Sequence, residues 1–314
     1  MCLIMSCIYF IFVDGVGIGP DGPDNPFYQS KTTFLPFFQG GLRLPDGTPV
    51  KAIDATLGVP GRPQSASGQT ALFCGVNPLD ADSGHLNGYP NQGLRRIIRA
   101  GNLFSELEQR GLPWLFANAY PVYSRLFQPE HALIQADGSI LFSEEFPVEF
   151  RRRLSVTSCM MLSVGRRPMG ENEILAGRAL YQDYSNHSLR EKGLELPEFS
   201  PLQAAEILFQ AGRDRSLLLY EYFQTDVSAH HPERQTTLEV VKGLDSLVGR
   251  LLELLDPRRD TLLLCSDHGN LEDLSTRRHT LNPVPLLTWG RLAAPIRKST
   301  ESISDLVPAL LKVI

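Results

Sequence analysis

Asp14, Asp226, His230, Asp267, His268 and His279 are the residues of this chain whose types and placement suit chemistry. Each stands at or just beyond a short apolar run. Asp14 follows residues 9–13, Asp226 follows Leu217–Tyr222, Asp267-His268 follow Thr261–Cys265, and His279 comes shortly before residues 284–288. Carboxylate oxygens and imidazole nitrogens held on rigid elements are what a Zn²⁺ or Mn²⁺ site needs. Singly, an Asp-Gly pair is a turn and a lone histidine a core or surface residue; the shared placement at one sheet edge carries the metal reading. Ser65 adds a candidate nucleophile. It enters a helical stretch that Gly75 should stop, where free backbone N–H groups and the helix dipole favour a phosphate or an alkoxide. A serine there is ordinarily only an N-cap, but a neighbouring cation would lower its hydroxyl pKa.

The elements that must position these groups alternate between strand-length apolar runs and helical patterns, which predicts an α/β fold with a parallel central sheet covered on both faces. Strands are expected at 9–13, 114–117, 217–222, 261–265 and 284–288. Leu238, Val241, Leu244, Val248, Leu251, Leu252 and Leu255 recur at helical spacing, and Ser200-Pro201 reads as an N-cap followed by proline at the first helical position. Ligands of such sheets lie beyond the carboxyl ends of the strands. From 121 to 197 the alternation lapses into a hairpin around Asp137-Gly138, the basic run Arg151-Arg152-Arg153 and a short helical stretch at 171–180. This segment is expected to be a small inserted subdomain, with 1–120 and 198–314 forming the core domain.

Composition narrows the function further. The 314 residues are 42% hydrophobic, enough for a large core, and 30 Lys+Arg against 35 Asp+Glu leave a net charge of −5, which excludes a global field for nucleic acid or anionic lipid. Of the five cysteines, Cys2, Cys7, Cys74, Cys159 and Cys265, none forms a C-x-x-C pair, so no disulfide framework and a cytoplasmic setting are expected. The apolar N-terminus lacks Lys or Arg, is too short to span a bilayer and stops at Asp14, so it reads as a buried strand rather than a signal peptide. The composition leaves the oligomeric state open.

Five blocks occur in the order found in the alkaline phosphatase superfamily: Asp14-Gly15, Gln64-Ser65-Ala66-Ser67-Gly68-Gln69-Thr70-Ala71, Asp226-Val227-Ser228-Ala229-His230, Ser266-Asp267-His268-Gly269-Asn270 and His279-Thr280-Leu281-Asn282-Pro283-Val284-Pro285. The last two resemble cofactor-independent phosphoglycerate mutase and phosphopentomutase, and residues 302–314 are similar to the family's closing helix. The resemblance implies a three-layer sandwich and a two-metal centre. Asp14, Ser65, Asp267 and His268 match ligands of one divalent ion (Mn²⁺ or Zn²⁺), Asp226, His230 and His279 those of the other, and Ser65 matches the residue phosphorylated in turnover. His231 has no counterpart, and Ser67 and Thr70 fall inside the helix.

Three departures favour hydrolysis over mutase chemistry. Gln64 stands where relatives carry Asp or Asn, Gln69 replaces a mutase histidine, and the insertion is smaller than the mutase caps that keep water from the intermediate. The Cys/Ser-x-Pro-x-Arg pattern of sulfatases is missing at Ser65. The expected activity is a metal-dependent phosphoesterase acting on a small phosphorylated substrate through a phosphoserine. A phosphomutase and a metal-binding protein without turnover are the alternatives. Asn118, Arg151 and Arg153 are the candidate substrate contacts; Arg152, Arg166 and Arg167 could share that role, although a charge run is ordinarily a solvated face.

Overall fold

The computed structural model describes residues 6–79, 84–128, 130–231 and 234–314, so Cys2 and the first five positions lie outside the described residues. Eight strands form: β1 (Ile8–Val13), β2 (Val50–Ile53), β3 (Trp114–Phe116), β4 (Ala132–Ile134), β5 (Ile140–Phe142), β6 (Leu217–Tyr222), β7 (Thr261–Cys265) and β8 (Val284–Gly290). Six build the central sheet, in the order β2-β8-β7-β1-β6-β3. Central β1, β6 and β7 are buried along their whole length, as the β-branched, aromatic and leucine runs require of strands covered on both faces.

The sheet is mostly rather than wholly parallel. β1 pairs in parallel with β6 and β7, and β6 with β3, but β8 runs antiparallel to β7. β2 in turn is antiparallel to β8, so β8 alone opposes the rest. The cause is the connection: residues 266–283 return to the same edge without the crossover helix that a parallel partner needs. The consequence is functional. His279 precedes β8, and only the reversed direction of β8 puts its beginning at the edge where β1, β6 and β7 end.

Alternation along each strand divides the apolar side chains between two faces. Ile8, Phe10, Phe12, Leu217, Leu219, Leu263 and Cys265 share one cluster, which also takes side chains from helices Ser65–Cys74, Gln92–Ala100, Leu103–Gln109 and Val156–Ser163. Phe73 is fully buried there against Phe10 and Phe12, with ring centroids 5.9 and 5.3 Å away. Burying such a side chain is worth about 1.5–3 kcal/mol. Tyr9, Ile11, Val13, Leu218, Tyr220, Leu262 and Leu264 face the other cluster, covered by helices Pro201–Gly212 and Arg234–Leu254. The first of these starts as expected, with Ser200 Oγ accepting from Gln203 N and Pro201 opening the helix. These are three layers, helix, sheet and helix.

Segment 121–197 contains the expected hairpin, with Ile134 opposite Ile140, and a helix Glu171–Leu175 that stops five residues short of the expected end. Phe127, Ile134, Phe146, Val156 and Met160 join the same cluster as Phe10 and Leu219, so much of this segment packs directly on the main core. A smaller cluster of Ile174, Ala179, Leu189 and Leu196 gathers around Ala119. Among the described residues no helix is long and apolar enough to cross a membrane.

Candidate metal centre

The strand ends converge as their sequence positions imply. Asp14 leaves β1, helix Gln224–His230 follows β6, Asp267-His268 leave β7, and His279 enters β8. Spacing of four puts Asp226 and His230 on one helix face, with Asp226 Oδ2 3.4 Å from His230 Nε2. His279 Nε2 lies 3.3 Å from His230 Nε2 and 3.8 Å from Asp226 Oδ1. His268 Nε2 lies 3.4 Å from Asp14 Oδ1, 3.6 Å from Asp267 Oδ2 and 3.0 Å from Ser65 Oγ. Two donor sets follow, Asp226/His230/His279 and Asp14/Asp226/His268, each with ligand atoms within 4.8 Å of one another. Asp226 belongs to both, whereas the sequence resemblance placed it in one. Gly15 permits this approach: its φ is +65°, and a Cβ there would stand 2.5 Å from Asp226 Oδ1.

Second partners orient the rings. The His279 Nδ1 atom is 2.9 Å from the Pro63 carbonyl and His230 Nδ1 is 3.1 Å from that of Arg277, so each Nδ1–H donates outward and leaves Nε2 facing the cluster. Asn270 Nδ2 donates to Asp226 Oδ1 at 2.9 Å, and Gln69 Nε2 to Asp267 Oδ2 at 3.1 Å.

The site is charged and largely buried, with Asp14, Asp267, His268 and His279 inside and His230 at its open side. Burial, then the charges of Asp267 and Asp226, pushes the Asp14 carboxyl well above its ordinary range. His268 resists a burial penalty that would lower it, and Asp267 and Asp14 raise it to about 10. Burial opposes ionisation of Asp226 too, but the His230 hydrogen bond and the His268 charge hold it below the ordinary carboxylate value. Burial and the neighbouring His268 charge lower His279, whose ring stacks on His268 with centroids 3.8 Å apart. Carboxylates crowded in this way favour a neighbouring cation. The buried Asp14 Oδ1 and Asn270 Oδ1 have no hydrogen-bond partner. Unsatisfied oxygens beside imidazole nitrogens fit a borderline divalent ion.

Ser65 is the first residue of helix Ser65–Cys74. Ser67 N–H is taken by the Leu86 carbonyl and Gly68 N–H by that of Gln64, which leaves the N–H groups of Ser65 and Ala66 without partners among the described residues. Thr70 Oγ1 is spent on the Ala66 carbonyl, 2.6 Å away, and His231 is exposed outside the cluster.

Two of the three expected substrate contacts, Asn118 and Arg151, have their polar groups engaged in other bonds. Asn118 is fully buried, and its amide continues the β3–β6 ladder, donating to Glu221 O at 2.9 Å and accepting from Glu221 N at 2.8 Å. Arg151 donates to the carbonyls of Ser143 and Phe146 and lies over the Phe142 ring, bracing its own turn. Arg153 is exposed.

Glu221 escaped the sequence reading because it sits inside an apolar strand. Its Oε2 accepts from Tyr120 at 3.2 Å and Thr157 at 3.0 Å, its Oε1 has no partner, and burial pushes its pKa up to about 8. A raised acid holds its proton in the folded chain, so the metal-free protein should lose stability as pH rises from the ordinary carboxylate range to about 8. Glu221→Gln is expected to flatten that decline, read as thermal midpoint against pH. An unchanged slope would remove Glu221 as its source.

Residues 197–313 match the family model described as the Metalloenzyme superfamily. The match covers 117 of the 314 residues. Similar curated sequences include the 2,3-bisphosphoglycerate-independent phosphoglycerate mutases of Desulforudis audaxviator, 27% identical over 124 residues, and Halobacterium salinarum, 32% identical over 113 residues. These matches span 38% and 33% of this chain but only 24% and 22% of the mutases, so the chain matches about a quarter of these relatives' length. Two solved structures share the fold of this chain. The alkaline phosphatase from the Antarctic bacterium TAB5 superposes with a TM-score of 0.50 at 13% identity, covering 98% of both chains. The PH0037 protein from Pyrococcus horikoshii gives 0.51 at 12% identity, covering 100% of this chain and 97% of that one.

Proposed function

We propose that this chain is a metal-dependent phosphohydrolase that passes the phosphoryl group of a small phosphate ester through Ser65. The observation that carries the reading is the position of the Ser65 hydroxyl, at the open N-terminus of a helix and 3.0 Å from His268 Nε2, beside the buried carboxylates and imidazoles. In this reading Asp14, Ser65, Asp267 and His268 hold one divalent ion, Zn²⁺ or Mn²⁺, and Asp226, His230 and His279 the other, with Asp226 also within reach of the first. Bound there, the ions would lower the hydroxyl pKa and offset the charge on the phosphoryl oxygens. Ser65 Oγ forms its bond to phosphorus as the ester bond breaks, and the leaving oxygen departs with the electron pair and acquires a proton. The Ser65 and Ala66 N–H groups are placed to donate to phosphoryl oxygens. Water then displaces Ser65 Oγ and inorganic phosphate leaves.

Hydrolysis rather than internal transfer is supported by Gln69, which stands where the mutase pattern has histidine and instead holds Asp267. A phosphomutase is the second reading, favoured by the activity named for the curated relatives. The free cysteines Cys7, Cys74, Cys159 and Cys265 suit the cytoplasmic setting proposed for the chain, and 121–197 is proposed as its insertion. Glycerate and pentose phosphates supplied with Mn²⁺ or Zn²⁺ should yield free phosphate in step with substrate loss. Isomerised product in phosphorus NMR without phosphate release would replace the hydrolase by the mutase.

A further inference from the structure

Glu272 is fully buried and matches no ligand, yet its carboxylate takes four donors, one from the loop after β1 and three from the two ends of the β7–β8 connection. Gly17 N, from the loop that carries Asp14, donates to Oε2 at 2.8 Å. Asn270 N, from the loop that carries Asp267 and His268, donates to the same oxygen at 2.8 Å. Thr280 Oγ1 and Asn282 Nδ2, from the loop that carries His279, donate to Oε1, the latter at 3.0 Å. Backbone bonds run in parallel with this clamp: Leu271 N to Gly15 O at 2.9 Å, Ile18 N to Pro283 O at 2.8 Å and Thr280 N to Gly269 O at 2.9 Å. Gly17 and Gly269 make room for it, since a Cβ at either would collide with the Glu272 carboxylate.

We infer that Glu272 is the positioning residue of the metal centre, a carboxylate that ties the Asp14 loop to the Asp267-His268 and His279 ends of the β7–β8 connection so that their donors already converge before any cation arrives. The inference rests on the metal-centre reading above. A carboxylate is suited to the task because four donors share two acceptor oxygens, and an apolar replacement leaves two buried backbone N–H groups unpaired. Glutamine can reproduce the arrangement. Its oxygen accepts from Gly17 and Asn270, while its NH₂ donates to the Thr280 hydroxyl and to a flipped Asn282 amide.

The test is Zn²⁺ and Mn²⁺ affinity of the full chain by competition with a chelator, for wild type, Glu272→Ala and Glu272→Gln. Glu272→Ala should bind about 10- to 100-fold more weakly, the range for outer partners of metal ligands, and Glu272→Gln should recover most of the loss. Asp245→Ala is the control for stability alone. It frees the N–H groups of Thr33, Phe34 and Leu35 away from the centre, and should lower the melting temperature with affinity intact. If Glu272→Ala does not fold, Asn282→Ala removes a single donor from Oε1 and should still weaken binding measurably. Wild-type affinity in folded Glu272→Ala, or in Asn282→Ala where that variant stands in, overturns this inference and leaves the metal centre standing. A wild-type chain that takes up neither ion overturns the metal-centre reading and this inference with it.

Discussion

Ser65→Ala is expected to lower phosphate-ester turnover by about 10³-fold or more while the fold and most cation binding survive. The hydroxyl's hydrogen bond is to His268, and alanine is a good helix former at the first helical position, so little structure depends on the oxygen. The remaining donors, Asp14, Asp226, Asp267, His230, His268 and His279, stay in place. Thr70→Ala is the internal comparison. Its hydroxyl bonds back to the Ala66 carbonyl inside the same helix, so turnover should change by less than about tenfold. Initial rates of phosphate release, set beside cation stoichiometry for both variants, check the contrast. If Thr70→Ala abolished turnover and Ser65→Ala did not, the helix entry would be misassigned.

Asp226→Ala should be the most damaging substitution for cation binding, because Asp226 alone belongs to both donor sets. Its loss opens the Asp226/His230/His279 set and the Asp14/Asp226/His268 set together, whereas His279→Ala opens one. Affinity should fall by more than the roughly 10- to 100-fold attached to outer partners, and activity with it. The metal-free variant should remain folded, since removing one of three crowded carboxylates relieves the repulsion that raises Asp14. Elemental analysis after loading is the measurement: Asp226→Ala should approach zero ions per chain and His279→Ala should keep one. Equal losses in the two variants would contradict a shared Asp226.

Much of this centre could be read from residue order because its donors follow strands that are unmistakable in the sequence. Asp14 and Asp267-His268 directly succeed fully apolar runs, and Asp226 and His230 share a helix face by their spacing. His279 was harder to place, since its position depends on the direction of β8, which no apolar run encodes. Glu221, and the hold of Gln69 on Asp267, were hidden for a related reason: a polar residue inside a helix or strand pattern reads as a tolerated exception, and burial emerges only when the layers close. Glu272 lies in the polar stretch Gly269-Asn270-Leu271-Glu272-Asp273, which resembles an exposed loop until the loop after β1 and the far end of its own connection close around it. Asn118 stands at the expected sheet edge, but its amide is consumed by the Glu221 backbone, a pairing between residues 103 positions apart. β2 went unread because four residues with one lysine give too short a pattern.

The central claim is that the phosphoryl group passes through Ser65, and an acid quench during turnover tests it most directly. The metal-loaded chain is mixed with a phosphate monoester that it turns over, quenched within the first turnovers, digested and examined by mass spectrometry for the peptide containing Ser65. The account predicts covalent phosphate on Ser65 that appears before free phosphate accumulates and is absent from the Ser65→Ala chain. Steady phosphate release with Ser65 unmodified at every quench time, and undiminished in Ser65→Ala, would contradict it.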